Sequence, residues 1–80
     1  MRAKVYVTPR SEVLDPQGEA VQLGLLGLGF TEIGEVRVGK YLEIDLATTD
    51  RALAERRVRE MCVALLANPV VEDYRFEIEP

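Results

Sequence analysis

The feature that most constrains this chain is an abrupt change near residue 68 from a helical apolar pattern to an extended one. Apolar residues recur at helical spacing from residue 51 to about residue 67 and predict one buried helix face. Asn68 and Pro69 end this pattern, because proline has no backbone N–H and clashes with the preceding helical turn. Residues 70–78 follow as an extended run. The chain is therefore expected to pass from a helix directly into a strand of the sheet that the helix covers.

The residues before this joint predict three more strands and one more helix. Apolar and polar residues alternate in three short runs, as in strands with one buried face. These runs cover residues 3–8, 33–38 and 41–46. A helix is predicted over residues 16–28, with Asp15 as its N-cap. Gly39 and Lys40 separate the two middle runs, and a glycine at such a junction predicts a hairpin.

The order strand, helix, strand, strand, helix, strand predicts an α+β fold. It is the order of the ferredoxin-like βαββαβ domain, a four-stranded antiparallel sheet with two helices on one face. One such domain is predicted to span residues 1–80. The last strand, residues 70–78, is expected at an edge of the sheet.

The small size of the chain predicts association with other chains. A domain of this length buries only about 60% of the surface that its unfolded form exposes. Its core rarely supplies more than about 3–5 kcal/mol, and a single cysteine leaves no internal disulfide to add to it. Unprotected sheet edges are a further liability. We therefore expect a homo-oligomer, a dimer or a dimer of dimers formed through the outer strands, or a larger partner.

The composition excludes most kinds of active site. The chain has no histidine, which is the commonest general base and the commonest metal ligand. Ser11 is the only serine, and Cys62 is the only cysteine and lies in the apolar stripe of a helix, as buried structural thiols do. The glycines between Gly24 and Gly29 fall at a helix end, so they do not form a phosphate-binding loop. We predict no catalytic, cofactor-binding or metal-binding residue in this chain.

Charge and targeting signals limit the possible partners and the cellular location. The net charge is −4 and no basic stripe is present, which disfavours nucleic acid as a partner. A single cysteine agrees with a reducing compartment. No signal-peptide pattern follows Met1, and no apolar run approaches the roughly 20 residues that span a bilayer. The sequence therefore predicts a cytoplasmic protein with no membrane partner.

Three other functions occur on the same fold, and particular residues bear on each of them. An RNA-recognition domain would stack bases on Tyr6 and Tyr41, but Glu43 and Asp45 would repel the phosphate backbone. A small acylphosphatase would use an arginine just after the first strand, where Arg10 stands, but the loop lacks the glycine-rich cradle for phosphate. A ligand-sensing regulatory domain remains open, because such sites form between copies.

Four stretches taken together resemble one known family, PurS, the small subunit of phosphoribosylformylglycinamidine (FGAM) synthase. The resemblance covers essentially the whole chain. The stretches are Leu14-Asp15-Pro16-Gln17-Gly18, Leu28-Gly29-Phe30, Val36-Arg37-Val38-Gly39-Lys40, and Met61-Cys62 with Leu65-Leu66-Ala67-Asn68-Pro69-Val70-Val71-Glu72-Asp73-Tyr74.

The resemblance implies a non-catalytic subunit of an ATP-dependent amidoligase of purine biosynthesis. In that family a synthetase subunit binds ATP, magnesium and formylglycinamide ribonucleotide, and a glutaminase subunit releases ammonia from glutamine. The small subunit is a homodimer that links the two and helps ammonia to pass between them, so that formylglycinamidine ribonucleotide is formed. No cofactor is implied for the small subunit itself.

The polar projections of the predicted fold are the candidate contacts with these partners. The loop over residues 10–18 and the hairpin tip at residues 37–40 have no obvious core role, and two carboxylates follow the helix-to-strand joint. For Asp15, Pro16 and Gly39, a purely local role as turn residues is equally open. The predicted interface residues are Arg10, Asp15, Gln17, Gly18, Arg37, Gly39, Lys40, Glu72 and Asp73.

Overall fold

A computed structural model describes residues 1–80. It contains three strands, two α-helices and a π-helical segment that continues the second helix. In chain order these are β1 (Arg2–Pro9), α1 (Pro16–Gly27), β2 (Lys40–Asp45), α2 (Arg51–Met61), the π-helical segment (Cys62–Leu66) and β3 (Glu72–Glu79). Neither helix has the length and apolar character that crossing a membrane requires.

The sheet is antiparallel and has β1 at its centre. The strand order is β2-β1-β3, and Val5 of β1 lies opposite Leu42 on one side and Phe76 on the other. One face packs against α2, and the buried core consists of Ala3, Val5, Val7, Ala54, Val58, Cys62, Ala67 and Ile78. No residue of β2 is fully buried, because α2 lies closest to β3 and leaves the inner face of β2 partly open.

The predicted helix-to-strand joint is present, with an additional turn inside it. Asp50 caps α2 by accepting a hydrogen bond from the Leu53 N–H at 3.3 Å. The π-helical segment ends where the Ala67 N–H donates to the Cys62 carbonyl at 2.9 Å. The Asn68 carbonyl then accepts from the N–H of Glu72 at 2.7 Å, so β3 begins two residues later than predicted. As predicted, β3 lies at an edge of the sheet.

The predicted four-stranded sheet is wrong. Residues 33–38 belong to no helix or strand, so the sheet has three strands. A two-residue hairpin turn needs a positive φ, and the only residue with one is Gly29, at φ 97°. The chain therefore continues through Gly39 instead of reversing there, and the predicted hairpin is absent.

The prediction that both helices cover one face of the sheet is also wrong. Residues 33–38 run back along α1, and the Gln22 side-chain amide donates to the Gly34 carbonyl at 2.9 Å. Helix α1 and this segment together form an arm, defined here as residues 16–38, and α1 makes few contacts with the sheet. The molecule measures 48 × 25 × 14 Å. Its radius of gyration is 15.9 Å, against about 12 Å for a compact domain of this length.

Candidate partner interface

The arm leaves the sheet at one end, which we call the arm end. Because the strands are antiparallel, β1 ends there while β2 and β3 begin there. All nine residues predicted from the sequence to contact partners lie in the segments that meet at this end or enter the arm from it. Their side chains divide into those that shape the arm and those that remain available for contact.

Asp15 and Gly18 hold the arm together. The Asp15 carboxylate accepts hydrogen bonds from the N–H of Gly18 at 3.0 Å and of Val38 at 2.8 Å. These bonds, that of Gly18 first, lower the pKa of Asp15. A Cβ at Gly18 would overlap the carbonyl oxygen of Val36. Asp15 and Gly18 therefore fasten the start of α1 to residues 36–38 beside it.

Gly39 allows the arm to join the sheet. A Cβ at this position would overlap the carbonyl oxygen of Val7 and lie 3.1 Å from Cα of Thr8. Only glycine fits without movement of β1. Arg37 and Lys40, on either side of it, are exposed and form no ion pair. These two cations are available to a partner.

The remaining predicted residues form local polar contacts or none. The Arg10 guanidinium lies 3.4 Å from the Asp73 carboxylate. The Glu72 carboxylate accepts from the Asn68 N–H at 2.7 Å, which stabilises the turn before β3. Gln17 is exposed in the first turn of α1 and its side chain makes no hydrogen bond. An exposed ion pair such as Arg10–Asp73 contributes about 0–1 kcal/mol to stability, so either group can give it up for a contact with another protein.

Sequence reasoning missed the largest feature of the surface, which is the apolar arm. Six large apolar side chains in and around it are exposed: Leu14, Val21, Leu23, Leu26, Leu28 and Phe30. The sequence did carry a signal, because Gln22 is the only polar residue between Ala20 and Phe30. A helix that is apolar on all sides is normally buried on all sides. In the single chain α1 is not.

A second exposed apolar patch lies where α2 gives way to β3. It consists of Val63, Leu65, Val70 and Val71. The backbone of this region is tied to the arm end of the sheet, since the Arg10 N–H donates to the Val71 carbonyl at 2.9 Å. Patches of this kind on a small protein mark surfaces that contact other chains.

The sheet face opposite α2 carries a row of stacked side chains. The rings of Tyr6 and Tyr41 have centroids 5.1 Å apart, and the Arg75 guanidinium lies 4.0 Å above the Tyr6 ring. The Tyr41 hydroxyl donates to the Glu43 carboxylate at 2.9 Å. The row borders a concavity of about 390 Å³. With Arg75 on one ring and Glu43 bound to the other tyrosine, this face does not offer a free aromatic platform to a nucleic acid.

The chain offers little that could perform chemistry. No three side chains of histidine, cysteine, aspartate or glutamate converge as metal ligands. Cys62 is fully buried, and this burial raises the pKa of its thiol, so the thiol stays neutral at physiological pH.

Comparison with known proteins identifies relatives along the whole chain. Residues 2–80 match the family model PurS, described as phosphoribosylformylglycinamidine (FGAM) synthase. The FGAM synthase subunit PurS of Bacillus subtilis is 50% identical over 78 residues, which are 98% of this chain and 92% of the relative. The crystal structure of B. subtilis PurS superposes with a TM-score of 0.87 at 49% identity, covering 99% of this chain and 98% of that one.

A chain of the PurLQS structure from Thermotoga maritima is also similar. It superposes with a TM-score of 0.86 at 30% identity, covering 95% of this chain and 93% of that one. The resemblance noted in the sequence is therefore confirmed. The elongated shape, with the arm away from the sheet, is shared with solved structures.

Proposed function

The chain belongs to the PurS family of FGAM synthase subunits in purine biosynthesis, and on this premise we propose that it acts there as a non-catalytic connecting subunit. It would link the glutaminase subunit to the ATP-dependent synthetase subunit and assist the transfer of ammonia between them. The observation that carries this proposal is the exposed apolar arm. The similarity to a chain of the T. maritima PurLQS structure supports it.

The chemistry would then reside in the larger subunits. ATP and magnesium would bind to the synthetase subunit, and glutamine would be hydrolysed by the glutaminase subunit. The proposed location is the cytoplasm, where these substrates are made and used. This chain would contribute surfaces, and its effect on the reaction would come from holding the two active sites in register.

We place the contact with the larger subunits at the arm end of the sheet. Arg37 and Lys40 are exposed cations that form no ion pair, and Gln17 is an exposed amide in the first turn of α1. Side chains of this kind at an interface steer association and fix its register. Asp15, Gly18 and Gly39 would act indirectly, by shaping the surface that carries them.

We also propose that the chain self-associates, because too little of it is buried for a stable monomer. Only 9 of 80 residues are buried. The accessible surface is 5608 Å², against about 4,900 Å² for a compact monomer of this mass. A homodimer would cover apolar surface that the single chain leaves in water.

The test of the connecting role uses the double variant Arg37→Ala, Lys40→Ala. We expect it to keep its fold and oligomeric mass but to lose co-sedimentation with the synthetase and glutaminase subunits. Glutamine-dependent activity should fall, while activity supported by added ammonia should persist. The matched control is Arg56→Ala, Arg57→Ala on the outer face of α2, which removes the same charge from an exposed helix surface. Unchanged assembly and unchanged glutamine-dependent activity of the first variant would refute the placement of this contact.

A further inference from the structure

We propose that the concavity at the arm end of the sheet binds a small phosphomonoester of the sugar-phosphate class. This assignment goes beyond the connecting role, because it gives a small-molecule ligand to a chain for which the sequence predicted none. All three tyrosines of the chain lie in the wall of the concavity, together with two cations. The side chains that carry the assignment are Tyr6, Thr8, Lys40, Tyr41, Tyr74 and Arg75.

The concavity has the size and the support of a small-molecule site. Its volume is about 390 Å³, within the range of about 300–1,000 Å³ that such sites occupy. It lies where β1 ends and where β2 and β3 begin, so its wall comes from all three strands. Side chains held by strands are placed more precisely than side chains on loops.

The concavity is positively charged on a chain that is negatively charged. The chain as a whole has a net charge of −4. Lys40 and Arg75 are the cations of the wall, and Asp73 is its only acidic residue. The Asp73 carboxylate lies 3.4 Å from the Arg10 guanidinium, which offsets its charge. A local excess of positive charge of this kind attracts an anion.

The polar groups of the wall are available to a ligand. Lys40 forms no ion pair. Arg75 lies 3.6 Å from the Glu77 carboxylate, an exposed contact that a ligand can displace. No hydrogen bond within the chain uses the hydroxyl groups of Tyr6, Thr8 or Tyr74.

The charge and the donors of the wall favour a phosphate group over a carboxylate. A phosphomonoester carries a charge of about −1.5 to −2 at pH 7 and has three strong acceptor oxygens. Two cations and several hydroxyl donors match that group, whereas a carboxylate would balance only one of the cations. Arg75 is already held 4.0 Å above the Tyr6 ring, so its guanidinium is positioned before a ligand arrives.

The tyrosines indicate what the phosphate is attached to. A tyrosine ring offers an apolar body and a polar tip, which suits a sugar because a sugar exposes both C–H and hydroxyl groups. A nucleobase is less suited, since it needs a free ring face for stacking. The Tyr6 ring lies between Arg75 and Tyr41, with its centroid 5.1 Å from that of Tyr41.

The direct test is a titration of the 15N-labelled full-length protein with ribose 5-phosphate, followed by two-dimensional 1H–15N spectra. We expect saturable shifts confined to the amides of residues 6–8, 39–41 and 73–75, and weaker binding at high salt. No saturable shift, or shifts spread over cations elsewhere on the surface, would overturn the assignment.

Three further titrations separate the parts of the ligand. Ribose lacks the anion, inorganic phosphate lacks the sugar, and glucuronate carries a carboxylate in place of the phosphate. We expect each of them to bind more weakly than ribose 5-phosphate. Equal binding of inorganic phosphate would reduce the concavity to a site for a free anion, and equal binding of ribose or glucuronate would refute the role of the phosphate group. Either result would overturn the sugar-phosphate assignment.

A variant test uses Arg75→Gln. We expect it to weaken the binding of ribose 5-phosphate by about tenfold or more, because a charged hydrogen bond is lost. Arg75→Lys keeps the charge and should restore most of the affinity. The matched control is Arg51→Gln at an exposed position of α2, which should bind as the wild type does. Circular dichroism of each variant checks the fold. Unchanged affinity of the folded Arg75→Gln variant would contradict the assignment.

The ligand site and the connecting role can fail separately. The titrations use the chain without the larger subunits, so absence of binding would leave the connecting role in place. The two sites share Lys40 alone, and Arg75 tests the ligand site without it. Retention of the larger subunits by the Arg37→Ala, Lys40→Ala variant would therefore leave the ligand site standing.

Discussion

The sheet with α2, which we call the body, and the arm differ in where their apolar side chains lie. In the body, apolar residues of β1, β3 and α2 face one another, and charged residues cover the outside. In the arm, backbone and polar contacts fix the internal geometry, and the apolar side chains point to solvent. The body has its own buried core, whereas no apolar side chain of the arm is fully buried. The comparison teaches that one part of the chain buries its apolar side chains within the molecule, while the other leaves them on the surface.

The largest expected effect is unfolding of the body. Val58→Asp places a charge among the fully buried side chains between α2 and the sheet. A buried, unpaired charge costs more than the roughly 3–5 kcal/mol that so small a core supplies. We expect loss of secondary structure by far-UV circular dichroism at every protein concentration. Val58→Ala, which only removes two methyl groups, should remain folded with a lower unfolding midpoint.

The next effect concerns the junction between the two regions. Gly39→Ala forces a Cβ against the Val7 carbonyl, so β1 or the arm must shift. We expect a loss of about 1–3 kcal/mol, as for overpacked sites, measured by urea unfolding at a fixed protein concentration. Gly24→Ala is the control, since a Cβ there meets nothing within 4 Å. It should be neutral or stabilising, because alanine favours a helix by about 1 kcal/mol over glycine. Equal losses in both variants would show that Gly39 has no special contact.

A third prediction sharpens the role of Asp15 through pH. The pKa of Asp15 is lowered in the folded state by the N–H groups of Gly18 and Val38. Its contribution to stability is therefore fully present above the unfolded pKa of about 4. The contribution is lost as the pH falls through the lower, folded pKa.

The measurement for Asp15 is the stability difference between the wild type and Asp15→Ala at several pH values. We expect a constant difference at neutral pH that shrinks as the pH falls below the unfolded pKa of about 4. The lost protection from amide exchange in the variant should concentrate in residues 16–38. A stability difference that stays constant over this pH range would mean that the hydrogen bonds to Asp15 do not favour its charged form over its neutral form.

Smallest is the expected effect of Arg37→Ala, Lys40→Ala on stability. Both side chains are exposed and unpaired, and changes at such sites usually stay within about 0.5 kcal/mol. Thermal unfolding of the isolated protein checks this. A larger loss would assign these residues to the fold and would weaken their proposed role in partner binding.

The sequence predicted the body well and the arm poorly, for a physical reason. Alternation in residues 3–8 and 41–46 and the Asn68-Pro69 stop reflect contacts made within the chain, and the structure has strands and a helix end there. Residues 33–38 carry the same alternation but find no strand partner in the chain. A pattern shows that a segment has a face to bury, and it does not show in which molecule the burial occurs.

Of the predicted interface, the structure separates two kinds of residue that the sequence could not distinguish. Asp15 accepts a backbone hydrogen bond from a distant residue, and Gly18 and Gly39 have no space for a Cβ. Arg37 and Lys40 are exposed and have no such constraint. The separation depends on which atoms approach Gly18 and Gly39 from residues far along the chain, Val36 and Val7. Spacing in the sequence carries no information about such approaches. The role of all nine residues in binding stays a prediction.

The central claim is that the chain self-associates to cover apolar surface that a single copy exposes. Sedimentation equilibrium of the isolated protein at micromolar concentration tests it most directly, with circular dichroism of the same sample as the control for folding. The account predicts a folded species of twice the 9.0 kDa chain mass. A folded species with the mass of a single chain would contradict it.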